Sequence, residues 1–230
     1  MIAVTIPAHN EEQTIGKVIL SIRQVLSNEN CIVTVVADNC TDNTEEIARQ
    51  AGAIVFSKDS RAGLAETFRL EMRLALKMKP EIMVHIDADG QYLASEIPKL
   101  VQEVRNGYDL VLGSRLTGYI ENMPISKKFF NKLAARVFSM LLRQRIDDVT
   151  TGFRAFTPEV ARLPITGNFT YTQEQLVRAC KAGYRIKNVP VNFLARDGES
   201  KLMKHSMDYI NKSLIGLWKL HREVNLINGK

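Results

Sequence analysis

Cysteine is scarce in this sequence: Cys31, Cys40 and Cys180 are the only three among 230 residues. Their spacing fits neither a zinc site nor a disulfide framework, so a reducing, cytoplasmic setting is expected. Histidine is nearly as sparse. His9, His85, His205 and His221 share no metal-ligand spacing, and His85, inside an apolar run, reads as a packed residue. No apolar run reaches the roughly eighteen residues of a membrane-spanning helix. Residues 1–7 lack the basic stretch and long apolar core of a signal peptide. There is no internal repeat, no low-complexity tract and no linker rich in proline, glycine or serine. A single domain over residues 1–230 is therefore expected.

What is present is ordinary for a globular protein: 45% hydrophobic and 24% charged residues, enough to build a full core. The net charge of +6 favours anionic partners such as nucleotides, phospholipid surfaces or nucleic acid. In the first half, apolar runs alternate with helical patterns. Strands are expected at residues 2–6, 31–37, 53–56, 81–86 and 109–112. Helices are expected at 11–26, with Ile15, Val18, Ile19, Ile22 and Leu26 on one face, at 41–50 with Thr41 or Asp42 as N-cap, and at 62–78. Such alternation implies an α/β fold with a mixed, mostly parallel sheet flanked by helices. The second half is less regular. It suggests a loop at 117–124, an amphipathic helix at 127–142 carrying Phe129, Phe130, Leu133, Val137, Phe138 and Leu141, and a helix at 172–182 ended by Gly183. An edge strand at 185–194, marked by Pro190, and a final helix at 206–222 follow.

The chemistry gathers where apolar runs end. Val84-His85-Ile86-Asp87-Ala88-Asp89-Gly90-Gln91 delivers two carboxylates and an amide at the end of a strand. That edge is where open α/β sheets bind ligands. Hard oxygen donors suit Mg²⁺ or Mn²⁺, and Mg²⁺ typically takes only one or two carboxylates plus substrate phosphates. Two other strands end similarly. The first is followed by Pro7-Ala8-His9-Asn10-Glu11-Glu12, the second by Asp38-Asn39-Cys40-Thr41-Asp42. Asp38 is expected to bind a ligand, and Asp42 to cap a helix. Glu11 and Glu12 also complement a helix dipole.

These segments, in this order, closely resemble the family 2 glycosyltransferases of the GT-A fold, from about Val4 to Leu202. The resemblance implies that Pro7, Asn10, Glu11 and Asp38 hold the nucleotide and that Asp87 lies near the ribose and diphosphate. It gives Asp89 to the divalent metal. Asp38-Asn39-Cys40-Thr41-Asp42 departs from the more usual Asp-Asp-Gly-Ser-x-Asp. Five later motifs are similar to those of the dolichyl- and polyprenyl-phosphate hexosyltransferases. They are Gly113-Ser114-Arg115, Asp148-Val149-Thr150-Thr151-Gly152-Phe153-Arg154, Gln173-Glu174, Arg196-Asp197-Gly198-Glu199-Ser200-Lys201, and the Asp-x-Asp-x-Gln ending at Gln91. In that branch the Gln joins the metal shell, so Gln91 inherits the role, while Arg115 and Arg196 match arginines that handle phosphates. Lys127 and Lys128 stand where the branch often has another Arg. Arg154 reads either as a further phosphate arginine or as a surface arginine beside a buried aromatic.

The reading that follows is an inverting, metal-dependent transfer of a hexose from a nucleotide-sugar of the GDP-mannose or UDP-glucose type to a polyprenyl phosphate. Residues 1–115 would form the nucleotide-sugar half and 116–230 the acceptor half. Asp89, Arg115, Asp148, Glu174, Arg196 and Lys201 are the expected catalytic residues. Asp148 or Glu174 would act as general base if the acceptor were instead a saccharide hydroxyl. Two other classes are weaker. A haloacid-dehalogenase-like phosphatase would place its Asp loop after the first strand, and a catalytically silent nucleotide-sugar-binding protein leaves the intact Asp87, Asp89, Gln91 and Arg196 without purpose. Nucleic acid is not an expected partner. Met207, Ile210, Leu214, Leu217 and Trp218, beside Lys212, Lys219 and Arg222, give the last helix a face that suits either a lipid interface or the domain itself. Peripheral attachment to the cytoplasmic face of a membrane goes with the first option.

Overall fold

The computed structural model describes residues 1–61, 63–167 and 170–195. Arg196, Lys201 and the helix expected at 206–222 lie outside the described residues. Seven strands form one sheet in the order β3-β2-β1-β4-β6-β5-β7. They are β1 (Ile2–Ala8), β2 (Cys31–Asp38), β3 (Ile54–Lys58), β4 (Ile82–His85), β5 (Leu110–Ser114), β6 (Arg154–Phe156) and β7 (Ile186–Pro190). All pairings are parallel except those of β6, which runs antiparallel to both β4 and β5. The sheet is thus mixed and mostly parallel, and β7 is an edge strand, as its Pro190 suggested.

Every residue of β1 is buried, as expected of a central strand covered on both faces. On one face lie α1 (Ile15–Val25), α2 (Thr44–Gln50) and α4 (Ile97–Arg105); on the other lie α3 (Leu64–Lys77), α5 (Ile125–Leu142), α6 (Pro158–Ala161) and α7 (Tyr171–Lys181). In α1 the buried residues are Ile15, Val18, Ile19 and Ile22, a helical stripe. The sequence reading missed α4, although Ile97, Leu100, Val101 and Val104 repeat the same spacing behind Pro98 in the first turn. It also missed β6, whose three residues are too few to display a period. Three helices begin later than expected, α3 by two residues and the other two by more. Residues 11–14 form a turn whose Glu11 carbonyl accepts from the Ile15 N–H (2.9 Å), and α2 starts after Asp42, whose carboxylate accepts from the Thr44 N–H (3.0 Å). Gly183, at φ +81°, ends α7 in the left-handed conformation that glycine favours.

Two corrections concern the second half. The amphipathic helix buries Ala135 and Phe138, but Ile125, Phe129, Phe130, Leu133, Met140 and Leu141 are exposed among the described residues. Its outward face carries these apolar residues together with exposed Lys128, Lys132 and Arg136. Arg154 is no surface arginine; it is 0% exposed. Its guanidinium donates to the carbonyls of Thr151 (2.9 Å) and Thr172 (2.6 Å) and to Gln175 Oε1 (3.2 Å). It therefore pins the lead-in to β6 against the start of α7. Among the described residues no helix is long and apolar enough to cross a membrane.

Arg154→Leu leaves several buried acceptors without donors, each worth about 1–3 kcal/mol. The expected loss of unfolding free energy is about 3 kcal/mol or more, read by chemical denaturation, and Arg154→Lys, lacking the planar fork, recovers little of it. A Leu variant of near wild-type stability contradicts the pinning role.

Candidate active site

Parallel strands bring their C-terminal ends to one edge, so the turns after β1, β2, β4 and β5 meet there. Because β6 is antiparallel, its N-terminal lead-in, residues 148–153, reaches the same edge. The chain leaving β7 does so too. Topology thus collects the motif residues from distant parts of the sequence.

The turns after β1 and β2 are laced together. Asn10 and Asn39 both have φ 55°, a left-handed conformation that asparagine tolerates. Asn10 Oδ1 accepts from the Thr41 N–H (2.8 Å), Thr44 Oγ1 from the Glu11 N–H (2.7 Å), and Glu12 Oε2 from the Asn43 N–H (3.1 Å). Asn39, where the related pattern has an acid, takes this left-handed turn while its N–H donates to Lys58 O (3.1 Å). Pro7 ends the stretch of β1 that faces β4, past the last β1–β4 pair at Thr5, so its missing N–H disturbs no ladder there. Asp38 is buried, ion-paired with Lys58 Nζ (3.1 Å), and accepts from the Gly63 N–H (3.1 Å).

After β4, Asp89 Oδ1 accepts from the Gln91 N–H (3.1 Å), folding the turn on itself at Gly90, φ +74°. Gln91 Nε2 donates to Leu194 O (3.0 Å), which fixes the orientation of the amide. Gly152 backs onto Asp87: a Cβ there would lie 2.8 Å from Asp87 Oδ2. No side chain fits without displacing the carboxylate, a role the sequence did not reveal. Behind this turn, His85 is fully buried beside Glu71 (3.1 Å) and Tyr171 Oη (3.2 Å), a packed residue as expected.

Arg115 and Asp148 come together. Arg115 Nε and Nη2 donate to the two oxygens of Asp148 (2.7 and 2.8 Å), and Nη2 also reaches Thr150 Oγ1 (2.6 Å). Asp148 is buried, which by itself raises its pKa, yet Arg115 and the Thr150 N–H hold it below the usual carboxylate range. Glu174 is clamped likewise. It accepts from the N–H groups of Thr166 (2.8 Å) and Gly167 (2.7 Å) and from Arg178 (2.8 Å), and these donors outweigh burial to lower its pKa. Carboxylates held this way are weak bases, and both fasten neighbouring segments: Asp148 to Arg115, Glu174 to residues 166–167 and Arg178. No group of three or more acidic, histidine or cysteine side chains is poised for a metal among the described residues. Asp87, Asp89 and the Gln91 amide are the oxygen donors gathered at this turn.

Two like-charged pairs mark the site. Burial and the neighbouring Asp89 push Asp87 up to about 6. Lys127, half-buried, is lowered by burial and then by the Arg115 charge. For Asp87 the sign is that of a raised acid. Between about pH 4 and 6 the folded protein retains a proton that the unfolded chain releases, so stability falls as pH rises through that window. Asp87→Asn in metal-free protein is expected to raise the thermal midpoint at pH 7 and flatten the profile between those values. Lower stability than wild type at neutral pH contradicts this.

A family model described as "Glycosyl transferase family 2" matches residues 3–162. The chain is 34% identical over 203 residues to a dolichyl-phosphate hexose transferase of Haloferax volcanii, covering 87% of this chain and 86% of that protein. It is 27% identical over 210 residues to an undecaprenyl-phosphate mannosyltransferase of Micrococcus luteus, covering 86% and 85% respectively. Among solved structures, glucosyl-3-phosphoglycerate synthase from Mycobacterium tuberculosis, in complex with Mn²⁺, UDP and phosphoglyceric acid, superposes with a TM-score of 0.75 at 21% identity, over 96% of this chain and 78% of that one. That likeness concerns the fold, which is GT-A. With the family model covering more than half of its length, the chain belongs to glycosyl transferase family 2 and is a glycosyltransferase.

Proposed function

We propose that this enzyme transfers a hexose, with inversion, from a nucleotide diphosphate sugar to a polyprenyl phosphate, using Mg²⁺ or Mn²⁺. The observation that carries the reading is the carboxylate turn at the sheet edge, where Asp87 stands against Asp89 beside the Gln91 amide. Crowded carboxylates call for a cation. The named relatives act on dolichyl and undecaprenyl phosphates, which agrees with an anionic acceptor.

In this reading Pro7, Asn10, Glu11 and Asp38 border the nucleotide, and Asp87 faces the ribose and diphosphate. Asp89 and Gln91 hold the metal. The donors fit, being hard oxygens, and the Gln91 amide is already oriented through Leu194. A bound divalent cation supplies Lewis-acid neutralisation of the leaving diphosphate. Arg115, Arg196 and Lys201 bind phosphate oxygens, with Lys127 adding charge. A phosphate acceptor is anionic near neutral pH and needs no strong base. This agrees with the braced state of Asp148 and Glu174 and weighs against a saccharide hydroxyl as acceptor.

A polyprenyl acceptor lies in a bilayer, and α5 offers a surface for one. Its exposed Ile125, Phe129, Leu133 and Met140 stand beside exposed Lys128, Lys132 and Arg136, with no acid in the helix. An apolar face with basic residues suits an anionic lipid interface, where each basic residue contributes about 1 kcal/mol.

Two outcomes are expected. Asp89→Ala keeps the fold and loses transfer by roughly a thousandfold, the equivalent of several kcal/mol of metal stabilisation. The check is a panel of nucleotide-sugars assayed with Mn²⁺ or EDTA, with polyprenyl phosphate or free saccharide as acceptor. Full turnover in EDTA removes the metal from the mechanism, and transfer to saccharide alone replaces the acceptor. The protein also co-sediments with anionic vesicles, more weakly at high salt, and Phe129→Glu together with Leu133→Glu reduces the bound fraction severalfold. Equal binding by this variant contradicts docking through α5.

A further inference from the structure

Residues 191–195 leave β7 and cross the functional edge as a strap fastened on two sides. On one side, Phe193 N–H donates to Tyr119 O (2.9 Å), Glu121 N–H donates to Phe193 O (2.9 Å), and Ala195 N–H donates to Glu121 Oε2 (3.0 Å). Gly118 permits this approach, since a Cβ there would sit 2.1 Å from Val191 O. On the other side, Leu194 N–H donates to Gln91 O (2.9 Å) and Gln91 Nε2 donates back to Leu194 O (3.0 Å). Between these fastenings lies the Phe193 ring. It packs edge-on against Tyr92, with centroids 4.9 Å apart, and the Arg115 guanidinium sits 5.3 Å over its centroid.

One side chain therefore touches both clusters of the site. It reaches the carboxylate turn through Tyr92, the neighbour of Gln91, and it touches Arg115 directly. The chain then runs from Ala195 into Arg196. We propose that Phe193 is a positioning residue that couples the two phosphate sites, so that donor nucleotide and cation held at Asp89 and Gln91 strengthen binding of the acceptor phosphate. The proposal rests on the functional reading above. Its physical basis is a shared element. A ligand that fixes Gln91 also fixes Leu194, and with it the ring under Arg115. The second ligand then meets a site already set. Linkage makes the effect reciprocal: acceptor strengthens nucleotide binding by the same factor.

The test measures binding of a short-chain polyprenyl phosphate in detergent, with and without GDP or UDP plus Mn²⁺. Wild type is compared with Phe193→Ala and Phe193→Tyr. Wild type is expected to bind the acceptor roughly tenfold tighter when nucleotide and cation are present, within the usual range for coupled sites. Phe193→Ala lowers that ratio to near one and keeps its nucleotide affinity in the absence of acceptor. Phe193→Tyr, which retains the ring, restores the ratio. If the alanine variant does not fold, Phe193→Leu carries the same comparison, because it keeps apolar bulk without an aromatic face. An unchanged ratio overturns the coupling, as does a wild-type ratio of one. Separate losses of donor and acceptor affinity with the ratio kept make Phe193 a packing residue and also overturn it. Wild-type transfer to a free saccharide and none to polyprenyl phosphate overturns the functional reading and the coupling together. Wild-type transfer to polyprenyl phosphate with an unchanged ratio overturns the coupling alone.

Discussion

A buried guanidinium holds in place β6, the one strand that runs antiparallel to its sheet neighbours among the described residues. β6 is three residues long and lies between β4 and β5. It is too short to be secured by its ladder alone. Arg154 supplies the rest by donating into carbonyls of its own lead-in and of α7. The consequences reach the site. The lead-in carries Asp148, which braces Arg115, and Gly152, which lies against Asp87. Both like-charged clusters thus depend on a strand that would otherwise be marginal.

Stability and function pull in different directions at this edge. Asp38 and Asp148 have basic partners, and Glu174 is surrounded by donors. Such groups rigidify the scaffold, and the partners of Asp148 and Glu174 hold their pKa values below the usual carboxylate range. Asp87 is different, because burial and Asp89 both disfavour its charged form. A carboxylate pair left in this condition is costly in the free protein and favourable once a cation arrives. Glu71 beside His85 shows that burial alone does not mark a site: it too has a raised pKa, but its partner His85 lies among Thr5, Phe68 and Tyr171 in the core.

The second half of the chain adds reach rather than a separate core. β6 and β7 complete the sheet begun by the first half, α5 presents an apolar and basic face outward, and residues 191–195 return across the carboxylate turn. The two halves of the chain are therefore in contact through Phe193, which touches Tyr92 and Arg115, rather than joined only by the sheet.

The sequence by itself determined the α/β alternation, the strands that end in Asp38 and Asp87, and the family, because these depend on local periodicity and on motifs of contiguous residues. Its helix limits were off by a few residues where turns such as 11–14 and 41–43 look helical in composition but are closed by side chains from a neighbouring turn. It placed Asp148 and Glu174 among catalytic residues and Arg154 among phosphate or surface arginines. An acid or an arginine reads the same in sequence whether its charge is spent on a partner or held for a ligand. Only the tertiary structure decided that. It set Arg115 on Asp148, enclosed Glu174 in donors, buried Arg154, backed Asp87 with Gly152 and set Phe193 under Arg115. Each of these contacts joins segments far apart along the chain or hides a side chain from water, and neither fact is written in the order of the residues.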